Sequence, residues 1–415
     1  MPVKTWHFLR PAWNRLKRQS TSKPFTCSSK YSLAAKMTTL AGHSLPETYT
    51  GLLFHSPSSP PTLAALPTPI PTAGTVIVKP LYSIIVQYAN QIFTNGNPRG
   101  YKYPLPLVPG GACIARVAAV PQDATSLKPG QLVYVEVTVR ARDDPNVKIL
   151  RGFHEGYTEG TRRLMAEWRN GCWAMLSTAP MESVHALDED ILVGQLGYKL
   201  EELGSLSQLV VPYGGLADVG LKPGETVLIA PATGSFSSAA VHVALSMGAR
   251  VIAMGRNETA LAELKKLADP GRVETVKISG DVQEDINAIA KFGPLDVYFD
   301  ISPRPASKSS HIRAGIMSLR PGGRVSLMGG IPGDIELPYW HVSYNGITIK
   351  GGFMNTSQQA KDLIKILERG ILKIGIRAGM EVAGKFRLED WEEALNAAAA
   401  KGGPGKSVYF IPNGE

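Results

Sequence analysis

Between Val227 and Val241 the chain reads VLIAPATGSFSSAAV, an apolar run followed by a turn of small residues and then more small residues of helical character. Ala232, Thr233, Gly234, Ser235, Phe236 and Ser237 make a turn whose backbone N–H groups, with the N-terminus of a following helix, can approach a pyrophosphate closely. Gly234 is the single glycine of that turn, and Ser235 and Ser237 stand where further glycines would complete a G-x-G-x-x-G pattern. A tight strand-to-helix turn without a ligand fits the same residues. About 20 residues beyond such a loop, the end of the next strand presents the side chain that reads the adenosine ribose. Gly255, Arg256 and Asn257 stand there. An acidic residue would accept hydrogen bonds from a 2′-hydroxyl, whereas Gly255 leaves room for a 2′-phosphate and Arg256 can fork onto it. The expected cofactor is therefore NADP(H), with a solvated loop cation as the alternative reading of Arg256.

Other chemistries are poorly supplied. Cys27, Cys113 and Cys172 are odd in number, far apart and in no C-x-x-C pair, which speaks against a disulfide framework and a cysteine-built zinc site. Small buried apolar side chains are the simpler reading of Cys113 and Cys172. His154 beside Glu155 is a lone polar pair in a Gly-rich stretch. None of the 14 Tyr has a Lys four residues on, so the Tyr-Lys device of short-chain dehydrogenases is absent. Oxidising a simple alcohol means removing a proton of pKa near 16, and a metal that brings this to about 7 contributes on the order of 12 kcal/mol. Reducing an acceptor already polarised by conjugation needs only an aligned hydride donor, hydrogen bonds to the carbonyl and a proton source.

The elements that must position the loop follow from periodicity. Strands are expected at Thr226–Ala230, Arg250–Met254, Val273–Ile278, Leu295–Asp300, Gly323–Met328 and Ile347–Lys350. Helices are expected at Leu203–Val210, Ser237–Met247, Glu258–Leu267, Gln283–Phe292, Ser307–Leu319 and Ser357–Arg369. Such alternation is the pattern of a doubly wound parallel sheet. The six prolines between Pro57 and Pro71 mark an irregular or edge segment. From Thr75 to Val139 the pattern is β-rich and barrel-like, and Arg140–Pro180, with a short helix at Thr161–Trp168, reads as a lobe inserted on that domain. A helix at Glu389–Ala399 and a strand at Ser407–Ile411 close the chain.

At 415 residues two domains are expected, and no apolar run reaches the roughly 18 residues that a membrane span needs. The net charge of +9 is local. Lys4, Arg10, Arg15, Lys17, Arg18, Lys23, Lys30 and Lys36 all precede Met37, and no acid stands before Glu47, so the remainder holds 36 basic against 35 acidic residues. That body has no footprint for a polyanion, which argues against nucleic acid as a partner. The leader, with Trp6, Leu9, Trp13 and Leu16 near helical spacing, is read either as a mitochondrial transit peptide or as an extension upstream of a true start at Met37. The expected location is accordingly the mitochondrial matrix or the cytoplasm.

The segments VIVKP at Val76–Pro80, PLVPGGACIARV at Pro106–Val117, LKPGQLVYV at Leu127–Val135, LKPGETVLIAPATG at Leu221–Gly234, SMGARVIAMGRN at Ser246–Asn257 and LRPGGRVSLMGG at Leu319–Gly330 together resemble the medium-chain dehydrogenase/reductase superfamily. The likeness is strongest to its zinc-free branch, quinone reductase-like and enoyl reductase-like. It implies an α/β fold, a Rossmann doubly wound parallel sheet plus a GroES-like β-rich catalytic domain. The expected division is a leader at 1–36, the catalytic domain from 37–188 and 356–415, and the dinucleotide-binding domain at 189–355. Zinc enzymes of that superfamily carry G-H-E where this chain has Gly110-Gly111-Ala112, so no metal site is expected. The resemblance also implies cofactor contacts around Ser302, Gly329, Gly330, Phe353 and Asn355, and a proton donor or carbonyl anchor at Tyr88, with Tyr82 and Tyr213 as rivals. The implied activity is NADPH-dependent hydride transfer to an activated C=C, quinone or carbonyl of a small molecule. A zinc-free ketone reductase or alcohol dehydrogenase and a non-catalytic NADP(H)-binding sensor are the alternatives, and a homodimer is the superfamily's common habit.

Overall fold

Six strands, Thr226–Ala230, Arg250–Gly255, Val273–Lys277, Leu295–Asp300, Leu319–Leu327 and Thr348–Gly351, form one sheet in the spatial order 3-2-1-4-5-6. Every neighbouring pair is parallel. The first strand is an unbroken apolar run because both of its faces are covered. Val227 and Ile229 pack with Ala240, Val243 and Ala244 of the helix Ser235–Ser246, while Leu228 and Ala230 pack on the other face with Ile252, Ile289 and Ile312. The order reverses between the first and fourth strands, which opens a crevice at their carboxyl ends. This computed structural model describes residues 45–414 and the backbone of Thr38–Thr39. The expectations for the leader and for Cys27 lie outside the described residues.

A second sheet, eight-stranded, is built from strands at both ends of the sequence: Lys406–Phe410 pairs antiparallel with Thr75–Ile84, which in turn pairs with Cys113–Val120. The Pro-rich stretch forms one strand, Thr62–Pro67, of a separate two-stranded hairpin with Thr48–Leu53, where proline interrupts no central ladder.

Two segments depart from expectation. The helix expected to end at Val210 spans Leu206–Asp218 and runs through Pro212. Its Gly214 and Gly215 press the backbone against the parallel sheet's end: a Cβ on Gly214 would lie 2.9 Å from Asn355 Cα, and one on Gly215 2.1 Å from Met328 Sδ. Tertiary packing overrides the local cost of proline there. Within Arg140–Pro180, expected as an appended lobe, the run Gly171–Pro180 lies largely buried in the β-rich part, while 142–146 and 157–160 are exposed. Trp173 is fully buried, with ring centroids 4.9 Å from Phe410, 5.5 Å from Phe93 and 6.2 Å from Phe54. Its signal was hidden because the apolar residues of a core-crossing loop follow no helix or strand period.

Candidate functional site

The turn 231–234 leaves the first strand at the crevice. Ala232 N–H donates to the Met254 carbonyl at 2.7 Å, which ties the turn to the end of the second strand. Gly234 is the N-cap residue of Ser235–Ser246, and its N–H donates to Ser237 Oγ at 2.8 Å. Ser237 thus closes the helix start with a side chain where a glycine would leave it bare. A Cβ on exposed Gly234 would meet only Ser237 Oγ, at 3.1 Å, so the approach to the helix N-terminus is open on that side. Ser235 Oγ accepts from Gln208 Nε2, and Phe236 packs half-buried on the core.

At the second strand's end the space over Gly255 is taken by Thr233, whose Cγ2 would lie 2.8 Å from an added Cβ. Loop and strand end are therefore in contact through that pair. Arg256 is exposed and has no hydrogen-bond or ion-pair partner among the described residues. Asn257 is occupied structurally, its Oδ1 accepting from Ala260 N–H at 3.0 Å as the cap of the helix Glu258–Lys265.

Ser302 is buried beyond the fourth strand. Its Oγ bonds Asp300 Oδ1 at 2.5 Å and lies 2.9 Å from His311 Nε2, and its carbonyl accepts from Gly330 N–H at 2.8 Å. Gly329 must be glycine for this approach, since a Cβ would lie 2.6 Å from Asp300 Oδ2. Ser302, Gly329 and Gly330 thus form one cluster. Phe353 is 47% exposed with Lys148 Nζ 5.6 Å from its ring, Met354 adopts a left-handed φ of 63°, and Asn355 is buried against Gly214. Left-handed backbone at a non-glycine costs on the order of 1 kcal/mol and persists only where neighbours fix it.

Tyr88 precedes the short helix Ala89–Phe93. Its ring lies under the Arg99 guanidinium at 3.9 Å and 6.4 Å from Tyr101. Burial, followed by the pull of Tyr101, pushes its phenol well above the ordinary tyrosine value, against the lowering influence of Arg99. Arg304, two residues past Ser302, donates to the Arg99 carbonyl at 3.3 Å and so links the Tyr88 neighbourhood to the fourth-strand end. Tyr82 instead packs edge-on to Tyr409 at 6.1 Å, and Tyr213 is half-buried in Leu206–Asp218, its phenol raised by burial.

Among the described residues no group of three or more His, Cys, Asp or Glu is placed to hold a metal ion. At Gly110-Gly111-Ala112 a Cβ on Gly111 would lie 2.1 Å from Val137 Cγ2, and one on Gly110 2.3 Å from Trp173 Cδ1. No helix among the described residues is long and apolar enough to cross a membrane.

Sequence reading missed Glu136, Arg140 and His185. Glu136 is buried and lies 2.9 Å from Arg140 Nη1, 2.8 Å from Asn355 Nδ2 and 3.4 Å from His185 Nε2. Burial raises its carboxyl, but His185, Arg140 and Asn355 together outweigh this and hold it below the ordinary value. The spacing of Glu136 and Arg140 was the one available signal, and nothing local pairs it with a residue 219 positions away.

Residues 237–369 match a family described as zinc-binding dehydrogenase. The chain is 24% identical to acryloyl-coenzyme A reductase of Metallosphaera sedula over 345 residues, 81% of this chain and 92% of that protein. It is 22% identical to L-threonine 3-dehydrogenase of Anaeromyxobacter dehalogenans over 315 residues, 74% of this chain and 82% of that one. The cobalt- and zinc-bound thermostable alcohol dehydrogenase from Pyrobaculum aerophilum superposes with a TM-score of 0.66 at 17% identity, over 88% of this chain and 100% of that structure.

Proposed function

We propose that this chain, a medium-chain dehydrogenase/reductase by its fold and by the match of residues 237–369, is an oxidoreductase that uses NADPH, without zinc, to reduce an activated C=C or carbonyl of a small molecule. The observation that carries the reading is the open helix N-terminus at Gly234, at the point where strand order reverses, with Arg256, exposed and without a partner among the described residues, at the adjoining strand end. The N–H groups of that helix start beyond Gly234 suit a pyrophosphate, and Arg256 suits a 2′-phosphate. Bound there, the reduced nicotinamide supplies a hydride. Ser302, Gly329, Gly330 and the segment 353–355 would orient it through backbone, and Tyr88, protonated across the neutral range, would hydrogen-bond the acceptor carbonyl or hand it a proton.

The zinc-free element is supported by the donor set, because the G-H-E position offers no ligand and the room for one is filled by Val137 and Trp173. The acryloyl-coenzyme A reductase relative favours conjugated acceptors. The threonine dehydrogenase relative favours the second reading, a zinc-free ketone reductase or alcohol dehydrogenase. The same reading includes a homodimer. The sixth strand is a sheet edge, and beside it Tyr339, Trp340 and Tyr344 are 75–76% exposed, an aromatic patch unusual for a surface that meets only water.

A spectrophotometric screen of NADPH and NADH oxidation against quinones, enones, enoyl thioesters and ketones tests the reading. A saturated carbonyl as product supports it, and a carbinol transfers support to the second. Oxidation of neither cofactor by any acceptor, or activity that disappears with a chelator and returns with zinc, overturns it.

A further inference from the structure

The helix Ser235–Ser246 that starts at Gly234 buries every residue from Ser237 to Ala244, His242 among them. His242 is 8% exposed and lines a groove of about 930 Å³. On one side the groove is walled by that helix and by Glu258–Lys265, on the other by residues 371–373, 377–379 and 404–406, the last leading into the eight-stranded sheet. Gly405 N–H donates to Ser238 Oγ at 3.2 Å, where the two walls meet. Neither the turn 231–234 nor Arg256, Ser302, Gly329 or Gly330 lines this groove, so it is separate from the crevice. Asn257 does, with its side chain engaged as a helix cap.

Neither ring nitrogen of His242 has a hydrogen-bond partner among the described residues. Buried polar side chains are normally paired, so the partner of an imidazole in a cavity wall is a molecule that enters the cavity. Burial pushes the His242 pKa down to about 4, so at neutral pH the ring is uncharged and offers one N–H and one lone pair. The charge of the groove is uneven as well. Lys266 pairs with Glu263 at 2.7 Å, and Lys406 with Glu381 at 3.8 Å. Arg272, Lys373 and Arg377 are exposed and have no ion-pair partner among the described residues, and Asp269 is the one lining acid left unpaired there. Arg272 Nη2 donates to the carbonyls of Leu245 at 3.3 Å and Ala249 at 3.1 Å, which pins the guanidinium and leaves Nε and Nη1 to other acceptors. Like charges gathered around one concavity repel one another, and an anion of two or more charges relieves that while bonding the imidazole N–H. The volume is that of a small-molecule site.

We propose that this groove is a second ligand site, for a small organic polyanion, a phosphate ester or a polycarboxylate, held by Arg272, Lys373 and Arg377 and hydrogen-bonded by His242. The site does not rest on the NADPH reading, since no residue that carries that reading lines it. Its ligand bridges the helices of the parallel sheet and the segments that lead into the eight-stranded sheet.

The test is calorimetric titration of the full-length protein with inorganic pyrophosphate and, separately, with citrate, in buffered chloride. At least one of the two is expected to bind with a Kd of about 1 mM or below. Tighter pyrophosphate supports a phosphate ester as the ligand, and tighter citrate a polycarboxylate. Lys373→Ala and Arg377→Ala should each weaken the tighter anion about 3- to 10-fold, and His242→Phe, which removes the N–H and keeps a ring, by a similar factor. Lys361→Ala removes an exposed cation outside the groove and should leave the affinity unchanged. Because Lys373 and Arg377 are exposed, their substitutions decide the matter even if His242→Phe does not fold. No binding of either anion at about 10 mM overturns the proposal. Equal weakening by Lys361→Ala also overturns it, as a general effect of surface charge. So does binding that neither Lys373→Ala nor Arg377→Ala alters, which would put the anion at another place such as the helix start at Gly234.

Discussion

Arg256 and Tyr88 carry opposite kinds of chemistry and fail in different ways. Among the described residues Arg256 has no competing partner, so a 2′-phosphate would face its guanidinium. A charge-assisted contact of that kind is worth about 1.5–3 kcal/mol, and NADPH is expected to bind roughly 10- to 150-fold more tightly than NADH, with Arg256→Asp abolishing or reversing the difference. Equal affinities in the unmodified protein would make Arg256 a loop cation. Tyr88 lies beneath Arg99 with its phenol raised by burial. A raised tyrosine keeps its proton through the neutral and mildly alkaline range, so Tyr88 is a donor there and contributes no falling limb to the rate below about pH 10. Tyr88→Phe should lower single-turnover hydride transfer about 10²- to 10⁴-fold with NADPH affinity unchanged. Normal transfer with a slightly lower Tm would assign Tyr88 to packing and return attention to Tyr213. The meeting of the small-residue loop with the end of the second strand at Gly255 was legible from type and spacing alone, because the turn after a buried strand is written in contiguous small residues. Glu136 and Arg140 were not, because their partner Asn355 is adjacent only in space.

The elements that positioned these residues were the most readable part of the chain wherever both faces of a strand are covered. The strands Thr226–Ala230 and Leu295–Asp300 match their expected bounds, and the helices after them begin within three residues of expectation. Where packing rather than period sets the course, reading failed: at Pro212, inside a helix, and at Gly171–Trp173, inside a core. Gly171 illustrates the second case. Its N–H donates to the Val108 carbonyl at 2.7 Å, and a Cβ there would lie 1.9 Å from the Gly110 carbonyl oxygen and 2.6 Å from that of Pro109. Those are backbone atoms that cannot turn aside. Gly171→Ala is expected to lose about 3 kcal/mol or more in denaturant unfolding, while Gly194→Ala, whose methyl would meet nothing within 4 Å, should change stability by less than about 1 kcal/mol. Similar midpoints for the two would mean that the Gly110–Gly171 approach is looser than described.

The strands and helices described between Thr38 and Phe410 pair and pack with one another, and a chain beginning at Met37 is expected to fold and bind NADPH like the full-length protein. Aggregation of that truncation, or a Tm lower by more than a few degrees, would show that residues 1–36 support the fold. A fluorescent fusion of those 36 residues separately tests import into mitochondria. The sequence by itself determined the parallel sheet, the small-residue turn after its first strand and the absence of a G-H-E ligand set, because each is written in contiguous residues: a period, a run of small side chains, a missing His. Only the tertiary structure decided that the last strand pairs with Thr75–Ile84 in the eight-stranded sheet, that Trp173 lies at a core, and that Asn355 is gripped by Glu136 and Arg140. Those are contacts between residues scores to hundreds of positions apart. Their energy comes from desolvation and fit, quantities that exist only once the chain has brought the partners together.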